Sequence, residues 1–433
     1  MSDVLNALSA RINNNLQHLT ASQQQQPPNQ IPDEIRLALL DDCYEVQRLC
    51  SQPSDYLERL QMFNQQLSCL QWLCHFNVFA HIPMTGAISF PDLAAAANVP
   101  LPELRRVARM AMLERVLCEP VADRVAYGNA SFATCFGGET SPSLRPWAQF
   151  LTGIAAPTAM SMAEATQRSK DPSQGDLRNP TAYNVAFDTP LPLFQHLTES
   201  PGGADMFAGY MRSLDVAGGT AQHHLLKAFA WASLGDAHIV DVGGSNGHTC
   251  QLLSAHFPQL RFTVQDLPEV IAQAQASINN NNNNNNLTPS IHFTAHDFLT
   301  PQPPTIAHIG DIYLLRRILH NWPDHQATQI LQHLADAMAT RIARDKETQS
   351  METTPPRLLI MDTVLPAGPH EIPAYQEGLL RMRDLVMWQS FHSQERGWAD
   401  WMTLLQSTRP PLRVLCPVAK PAGSHMSVLV VGI

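Results

Sequence analysis

His238-Ile239-Val240-Asp241-Val242-Gly243-Gly244-Ser245-Asn246-Gly247 is the stretch on which the reading of the fold turns. Its first five residues, His238 to Val242, are mostly apolar and β-branched, the pattern of a short buried strand. The glycines that follow end it, because a residue without a Cβ turns tightly and lets a ligand approach the backbone. Helical sequence resumes at Thr249 and runs to His256. Strand, glycine turn and helix open an alternating β/α half built on a parallel sheet.

The same alternation continues downstream. Leu260 to Gln265 reads as a second strand ending in Asp266, Ile291 to Phe293 as a third, Ile312 to Leu315 as a fourth and Arg357 to Met361 as a fifth. Residues 231–433 are therefore expected to form a Rossmann-like α/β domain with a mostly parallel sheet. The asparagine run at 279–286 interrupts it and is expected in a surface loop between the second and third strands.

Charge around the turn points to its ligand. Asp266 lies nineteen residues after Gly247, where an acidic group can accept hydrogen bonds from both ribose hydroxyls. A dinucleotide site has G-x-G-x-x-G beside a pyrophosphate. Here the spacing is Gly243-Gly244-x-x-Gly247, and Asp241 precedes the first glycine by two residues. A carboxylate there repels pyrophosphate and suits a cationic amine. S-adenosylmethionine, with an amine, a ribose and no phosphate, fits that pattern better than a dinucleotide.

Leu319-His320-Asn321-Trp322-Pro323-Asp324 follows the fourth strand. His320 thus falls at the sheet edge where open α/β folds bind ligands. An imidazole titrates near neutrality and can take the proton of a phenol. Asp362, at the end of the fifth strand, and Glu395, in Ser393-Gln394-Glu395-Arg396, could each orient that ring and stabilise its charged form.

The N-terminal half has another texture. Residues 1–31 read as a short helix and then a flexible polar tether through Gln23–Gln26 and Pro27-Pro28. Residues 32–145 begin with helices rich in Leu and continue with helix Leu93–Ala97, helix Leu104–Leu117 and two short strands within Cys118–Tyr127, a winged-helix-like order. Residues 146–230 read as a helical connector, with runs at Trp147–Met162 and Met206–Phe229.

Composition narrows the partners. The chain has 433 residues, 38 acidic against 28 basic, and a formal charge of −10. A nucleic-acid binder needs a basic surface, and the second helix of the winged-helix-like pattern offers only Arg105, Arg106 and Arg109. Nucleic acid is therefore not an expected partner. No uncharged apolar run reaches 18 residues, so no membrane span is expected. The N-terminus lacks a signal-peptide layout. Eight scattered cysteines without C-x-x-C spacing read as reduced core thiols of a cytoplasmic protein. No carboxylate pair has metal-binding spacing, so no metal is expected.

These motifs, in this order, resemble the fungal branch of the S-adenosylmethionine-dependent O-methyltransferases, similar to the plant caffeate-type and sterigmatocystin-type enzymes. The resemblance is carried by Val240–His248, Val264-Gln265-Asp266-Leu267-Pro268, Leu319–Asp324, Asp362-Thr363-Val364-Leu365-Pro366, Arg383-Asp384-Leu385-Val386-Met387 and Glu395-Arg396, and runs from about residue 70 to the end. It implies methyl transfer to a hydroxyl of an aromatic, polyketide-type compound by a homodimer whose winged-helix-like part serves dimerisation. It implies Gly243 at the methionine end of the cofactor, Asp266 at its ribose with Leu267 among the cofactor contacts, and Asp297 and Phe298 at adenine. Arg316 falls at a basic cofactor contact, and His320 at the general base, oriented by Asp362 and Glu395. Two positions depart from the family. Asn321 stands where Asp commonly follows the base, and Asp362 stands where plant enzymes have Glu, one methylene longer. Met160, Met162, Phe187, Phe207, Met211, Met387 and Trp388 lie in segments resembling substrate-lining helices.

Two rival readings remain at this level. One keeps the cofactor as an electrostatic catalyst for a dehydration or pericyclic step with no methyl transfer. The other is a non-catalytic scaffold using the winged-helix-like half, which the intact base and cofactor motifs oppose.

Overall fold

The computed structural model of the chain describes residues 2–22, 32–138, 143–169, 179–280, 291–348 and 354–433. It divides into two compact units, one of Cys43–Ala217 and one of Met1–Asp42 with Gly218–Ile433.

In the Cys43–Ala217 unit, strand β1 (Ile88–Ser89) leads into helix Phe90–Ala96, helix Leu101–Met112 and the hairpin of β2 (Leu117–Val121) and β3 (Arg124–Tyr127). The strands order β1-β3-β2, all antiparallel. Ser89 starts the first helix by accepting the Asp92 amide with its hydroxyl, and Pro91 fits the first turn, where no amide proton is needed. The second helix ends five residues short of the expected Leu117, because Leu117 opens β2 and is itself fully buried. Phe79, Phe90, Leu93, Leu104 and Val125 fill the core around it. Arg105 pairs with Asp123 and Arg109 with Glu119, so two of the three cations on this helix face acids.

Further along, the run expected at Trp147–Met162 is three pieces: helix Arg145–Phe150, a π-helical turn at Leu151–Ala155 and helix Ala156–Met160. Helix Gly203–Val216 packs on the first of these. Gly209 permits the approach, since a Cβ there would lie 2.8 Å from Pro146, and Phe150 stacks on Tyr210 at 4.0 Å.

The second unit carries the α/β sheet. Its strands are β4 (His238–Val242), β5 (Arg261–Asp266), β6 (Ile291–Ala295), β7 (Ile312–Arg316) and β8 (Arg357–Asp362), then the two-residue strands β9 (Val364–Leu365), β10 (Arg396–Gly397) and β11 (Arg413–Val414), and β12 (Ser427–Gly432). The main sheet runs β11-β12-β8-β7-β4-β5-β6, with β9 and β10 paired separately. β4 to β8 are mutually parallel as expected, whereas β12 and β11 add an antiparallel edge. Alternate residues feed two cores, as strand pleating requires. Val240, Val242, Leu315 and Ile360 face helix Asp324–Glu347, while Ile239, Leu314, Leu359 and Met361 face Trp231 and Leu253.

The strand order reverses between β4 and β7, which places a crevice at their C-terminal ends. The asparagine insert begins as the end of helix Pro268–Asn280, and 281–290 lie outside the described residues.

The two units group Met1–Asp42 with Gly218–Ile433 and keep Cys43–Ala217 together, which is not the division expected at 31, 145 and 230. Ser2–Ser22 is a 21-residue helix whose Leu8 is buried and whose Arg11 bonds Asp42 through Nε (3.0 Å) and Nη2 (2.6 Å). Gln376 donates to Asp41, which ties helix Asp33–Cys50 to the α/β unit. The tether at 23–31 lies outside the described residues. The eight cysteines are free, but only Cys250 is buried, and Cys43, Cys50 and Cys416 are exposed rather than in the core. Among the described residues no helix is long and apolar enough to cross a membrane.

Candidate active site

The glycine turn after β4 is held by the neighbouring strand. The amides of Gly243 and Gly244 both donate to the Gln265 carbonyl, at 2.8 and 3.0 Å. Gly243 takes a left-handed φ of 74°, and a Cβ there would lie 2.6 Å from Ile318 Cδ1 and 3.4 Å from the Phe298 ring. A Cβ on Gly244 would lie 2.7 Å from Asp241 Oδ2, and one on Gly247 2.9 Å from Phe293. A side chain at any of the three would therefore make a neighbour shift, and at Gly243 and Gly247 it would also be strained by the left-handed backbone.

Asp241, at the end of β4, is buried with 3% exposure. Cys250, on the helix that follows the turn, donates its thiol to Asp241 Oδ2 at 3.4 Å. At the end of β5, Asp266 accepts the Ser245 amide on Oδ2 and the Leu267 amide on Oδ1, both at 2.8 Å. Burial raises the Asp266 pKa, and these two amides pull it back. Two carboxylates thus flank the glycine turn, one deep at the strand end and one at the next strand. That pair of acceptors matches the donors of an amine and a ribose diol, and it suits S-adenosylmethionine.

Asp297 is exposed and closes a turn by accepting the Leu299 amide at 2.9 Å. Phe298 packs edge-on against Trp322, with ring centroids 5.5 Å apart. The side chain of Arg316 donates to the Thr220 carbonyl at 2.6 Å. Leu267 is 42% exposed.

After β7 the chain bends sharply. Arg317 has a left-handed φ of 59° and donates its amide to the Met361 carbonyl, and a 3₁₀ turn at Leu319–Asn321 follows. This bend carries His320 to the end of β8. There His320 Nδ1 lies 3.0 Å from Asp362 Oδ1 and 3.1 Å from Glu395 Oε1. The shorter acid reaches the ring directly. All three residues are buried, His320 with 8% exposure. Among the described residues they form a group of His and acidic side chains whose ligand atoms lie within 4.8 Å of one another.

Burial alone would lower the pKa of His320, but Asp362 and then Glu395 outweigh it and push it up to about 9. Burial likewise favours a neutral Asp362, yet the charged imidazole holds its pKa below the usual carboxylate range. Asp384 accepts the Glu395 amide at 3.0 Å and so fixes that segment.

The expected base and both orienting acids therefore meet at one atom, and Gly243 meets Phe298. Nothing in the sequence marks Ile318, Cys250 or Asp384 as part of the site. Asp384 lies in the Arg383–Met387 stretch, but nothing in its spacing points to the Glu395 amide. Of the residues expected to line the substrate, Met160 is 85% exposed and Phe207 packs on Phe150 and Tyr210.

An open, mostly parallel sheet, a glycine turn flanked by carboxylates and a carboxylate-held imidazole at the same edge fit an S-adenosylmethionine-dependent methyltransferase. The family model described as an O-methyltransferase domain matches residues 169–408, and the chain belongs to that family. It is 39% identical to the O-methyltransferase VdtC of Byssochlamys spectabilis, over 93% of this chain and 88% of that one. It is 38% identical to the O-methyltransferase aurJ of Gibberella zeae, over 92% and 87%. Among solved structures, the LepI complex with S-adenosylmethionine superposes with a TM-score of 0.76 at 21% identity, covering 100% of this chain and 99% of that one.

Proposed function

We propose that the enzyme methylates a phenolic hydroxyl of an aromatic polyketide, with His320 as the general base. The observation that carries this reading is the convergence of Asp362 and Glu395 on a single ring nitrogen of His320. With its Nδ1 proton committed to these acids, the ring has Nε2 left to take a proton. Asp241 would hold the amine of the cofactor and Asp266 its ribose, with Gly243 allowing close approach and Leu267, Asp297, Phe298 and Arg316 completing the cofactor site. S-adenosylmethionine supplies a methyl group on a sulfonium already activated for displacement. The protein's part is to remove the phenol proton and to hold the oxygen in line, which needs no metal.

The high pKa of His320 carries a cost and a gain. At pH 7 a group titrating near 9 is neutral in roughly 1% of molecules, but it is a stronger base when it is. The two acids also stabilise the imidazolium that forms as the proton arrives.

The winged-helix-like part of the Cys43–Ala217 unit, within the expected 32–145 region, is proposed to dimerise the enzyme rather than to read nucleic acid. Its strand order and paired arginines support this, as do Leu57, Leu60 and Phe63, 65%, 46% and 48% exposed on helix Pro53–His75. The free cysteines suit a reducing cytoplasm.

One second reading has a specific observation behind it. A further solved structure with a TM-score of 0.76 is described as a pericyclic reaction enzyme. At 21% identity that likeness is one of fold. The intact base and both acids favour methyl transfer. Incubation with methyl-labelled S-adenosylmethionine and a panel of phenolic polyketides tests the choice. Label in the product supports methyl transfer, whereas substrate consumed without label overturns it.

A further inference from the structure

Arg396 is fully buried, and its contacts reach all three segments of the catalytic cluster. Its Nη1 donates to the Leu319 carbonyl at 2.8 Å and its Nη2 to the Trp322 carbonyl at 2.8 Å. These carbonyls bracket the turn that carries His320. Its Nε and Nη2 also donate to Asp324 Oδ1, at 3.0 and 2.7 Å. The guanidinium lies over the Trp401 ring, 5.7 Å from its centroid.

The same residue is tied to the other two segments by its backbone. It follows Glu395 directly in the chain. As part of β10 it pairs with Val364 in β9, two residues beyond Asp362. Trp401, beneath the guanidinium, donates its indole N–H to the Thr363 carbonyl at 3.1 Å. A guanidinium is suited to this work because its five donors sit in a fixed planar fork, whereas an ammonium offers one point charge.

We propose that Arg396, held by Asp324, is a positioning residue that sets the His320 turn against Asp362 and Glu395, and so acts on catalysis only through His320. The proposal rests on the reading of His320 as the base. The bound carbonyls fix the turn on both sides of the imidazole, and the β9–β10 pair fixes the acids relative to it. Trp322 adds a link to the cofactor turn, since its ring packs on Phe298, which lies beside Gly243. Asp324 is the accessible handle, because its side chain is 63% exposed while the Arg396 side chain is fully covered.

The test is a double-mutant cycle on the full-length enzyme. Turnover is measured per cofactor-binding site, counted by S-adenosylmethionine titration, for wild type, Arg396→Lys, His320→Ala and the double variant. Arg396→Lys is expected to lower turnover by about 10- to 100-fold, as a misplaced base does, with the KM for cofactor within about twofold. In the His320→Ala background the same change is expected to cost less than about twofold. An equal loss in both backgrounds overturns the proposal, as does a loss that only tracks missing cofactor sites. If His320→Ala turns over like wild type, the reading of the base fails instead.

The surface handle gives an arm that does not depend on the folding of Arg396→Lys. Asp324→Asn keeps the oxygen that Arg396 bonds and is expected to stay within about threefold of wild type, whereas Asp324→Ala loses about 10-fold in turnover. Equal turnover in wild type and Asp324→Ala overturns the proposal.

Discussion

Asp362 reaches His320 across 3.0 Å although its side chain is one methylene shorter than the glutamate of the plant enzymes. Asp362 is the last residue of β8, and the His320 turn is bonded to that strand end through the Arg317 amide and the Met361 carbonyl. Glu395 approaches the same Nδ1 at 3.1 Å. One N–H therefore faces two acceptors, and the relationship has measurable consequences.

Redundancy is the first. Replacing Asp362 by Asn or Glu395 by Gln leaves the other acid to orient the ring, so each single change should lower kcat by about 10-fold. The double variant should fall by more than about 100-fold. Steady-state kinetics at saturating cofactor gives both figures, and a single variant as damaged as the double would show that one acid works alone.

pH dependence is the second. With His320 pushed up to about 9 by Asp362 and Glu395 against burial, log kcat/KM should rise with pH and level off near 9. Glu395→Gln removes one negative neighbour, so its rise should level off at a lower pH. An unmoved profile would mean that Glu395 does not set the charge of the imidazole.

Stability should follow the same charges. The raised His320 pKa stabilises the fold fully below about pH 6.5, and that contribution fades as pH climbs through about 9. The lowered Asp362 pKa works in the other direction, its contribution fading as pH drops below about 4. His320→Ala leaves two buried carboxylates together and should cost about 3 kcal/mol at pH 7. That penalty should shrink at pH 5, where one acid can take up a proton. Urea unfolding of wild type and variant at the two pH values checks the sign.

The glycine turn gives a prediction independent of the base. Gly243→Ala forces a Cβ to 2.6 Å from Ile318 at a φ of 74°, a conformation costing roughly 1–2 kcal/mol for a residue with a side chain. Cofactor affinity should drop by at least about 10-fold. Calorimetric titration with S-adenosylhomocysteine measures it, and wild-type affinity would remove the turn from the cofactor site.

The parts legible in the sequence are those with strong local signals. β4 to β8 show as short apolar runs, His320 and Asp362 stand out by position at strand ends, and Glu395 shows only through motif order. β12 was overlooked although Ser427-Val428-Leu429-Val430-Val431-Gly432 is almost wholly apolar, because a terminal run gives no sign of antiparallel pairing with β8. β1, β9, β10 and β11 are two residues each and exist only through their partners. Arg396 stands beside Glu395 in the sequence, but nothing there shows that it is buried over Trp401 and bonded to the Leu319 and Trp322 carbonyls. The N-terminal helix is legible in the sequence, but its docking is not, because that depends on Leu8 and on Arg11 meeting Asp42, 31 residues away.

The assignment of His320 as the base is met most directly by comparing label transfer from S-adenosylmethionine in wild type and His320→Ala, with cofactor affinity measured alongside. Removing the base should lower kcat by about 100-fold or more while the Kd for cofactor stays within about twofold. A His320→Ala enzyme that methylates within about threefold of wild type, with cofactor bound as tightly, would contradict the assignment.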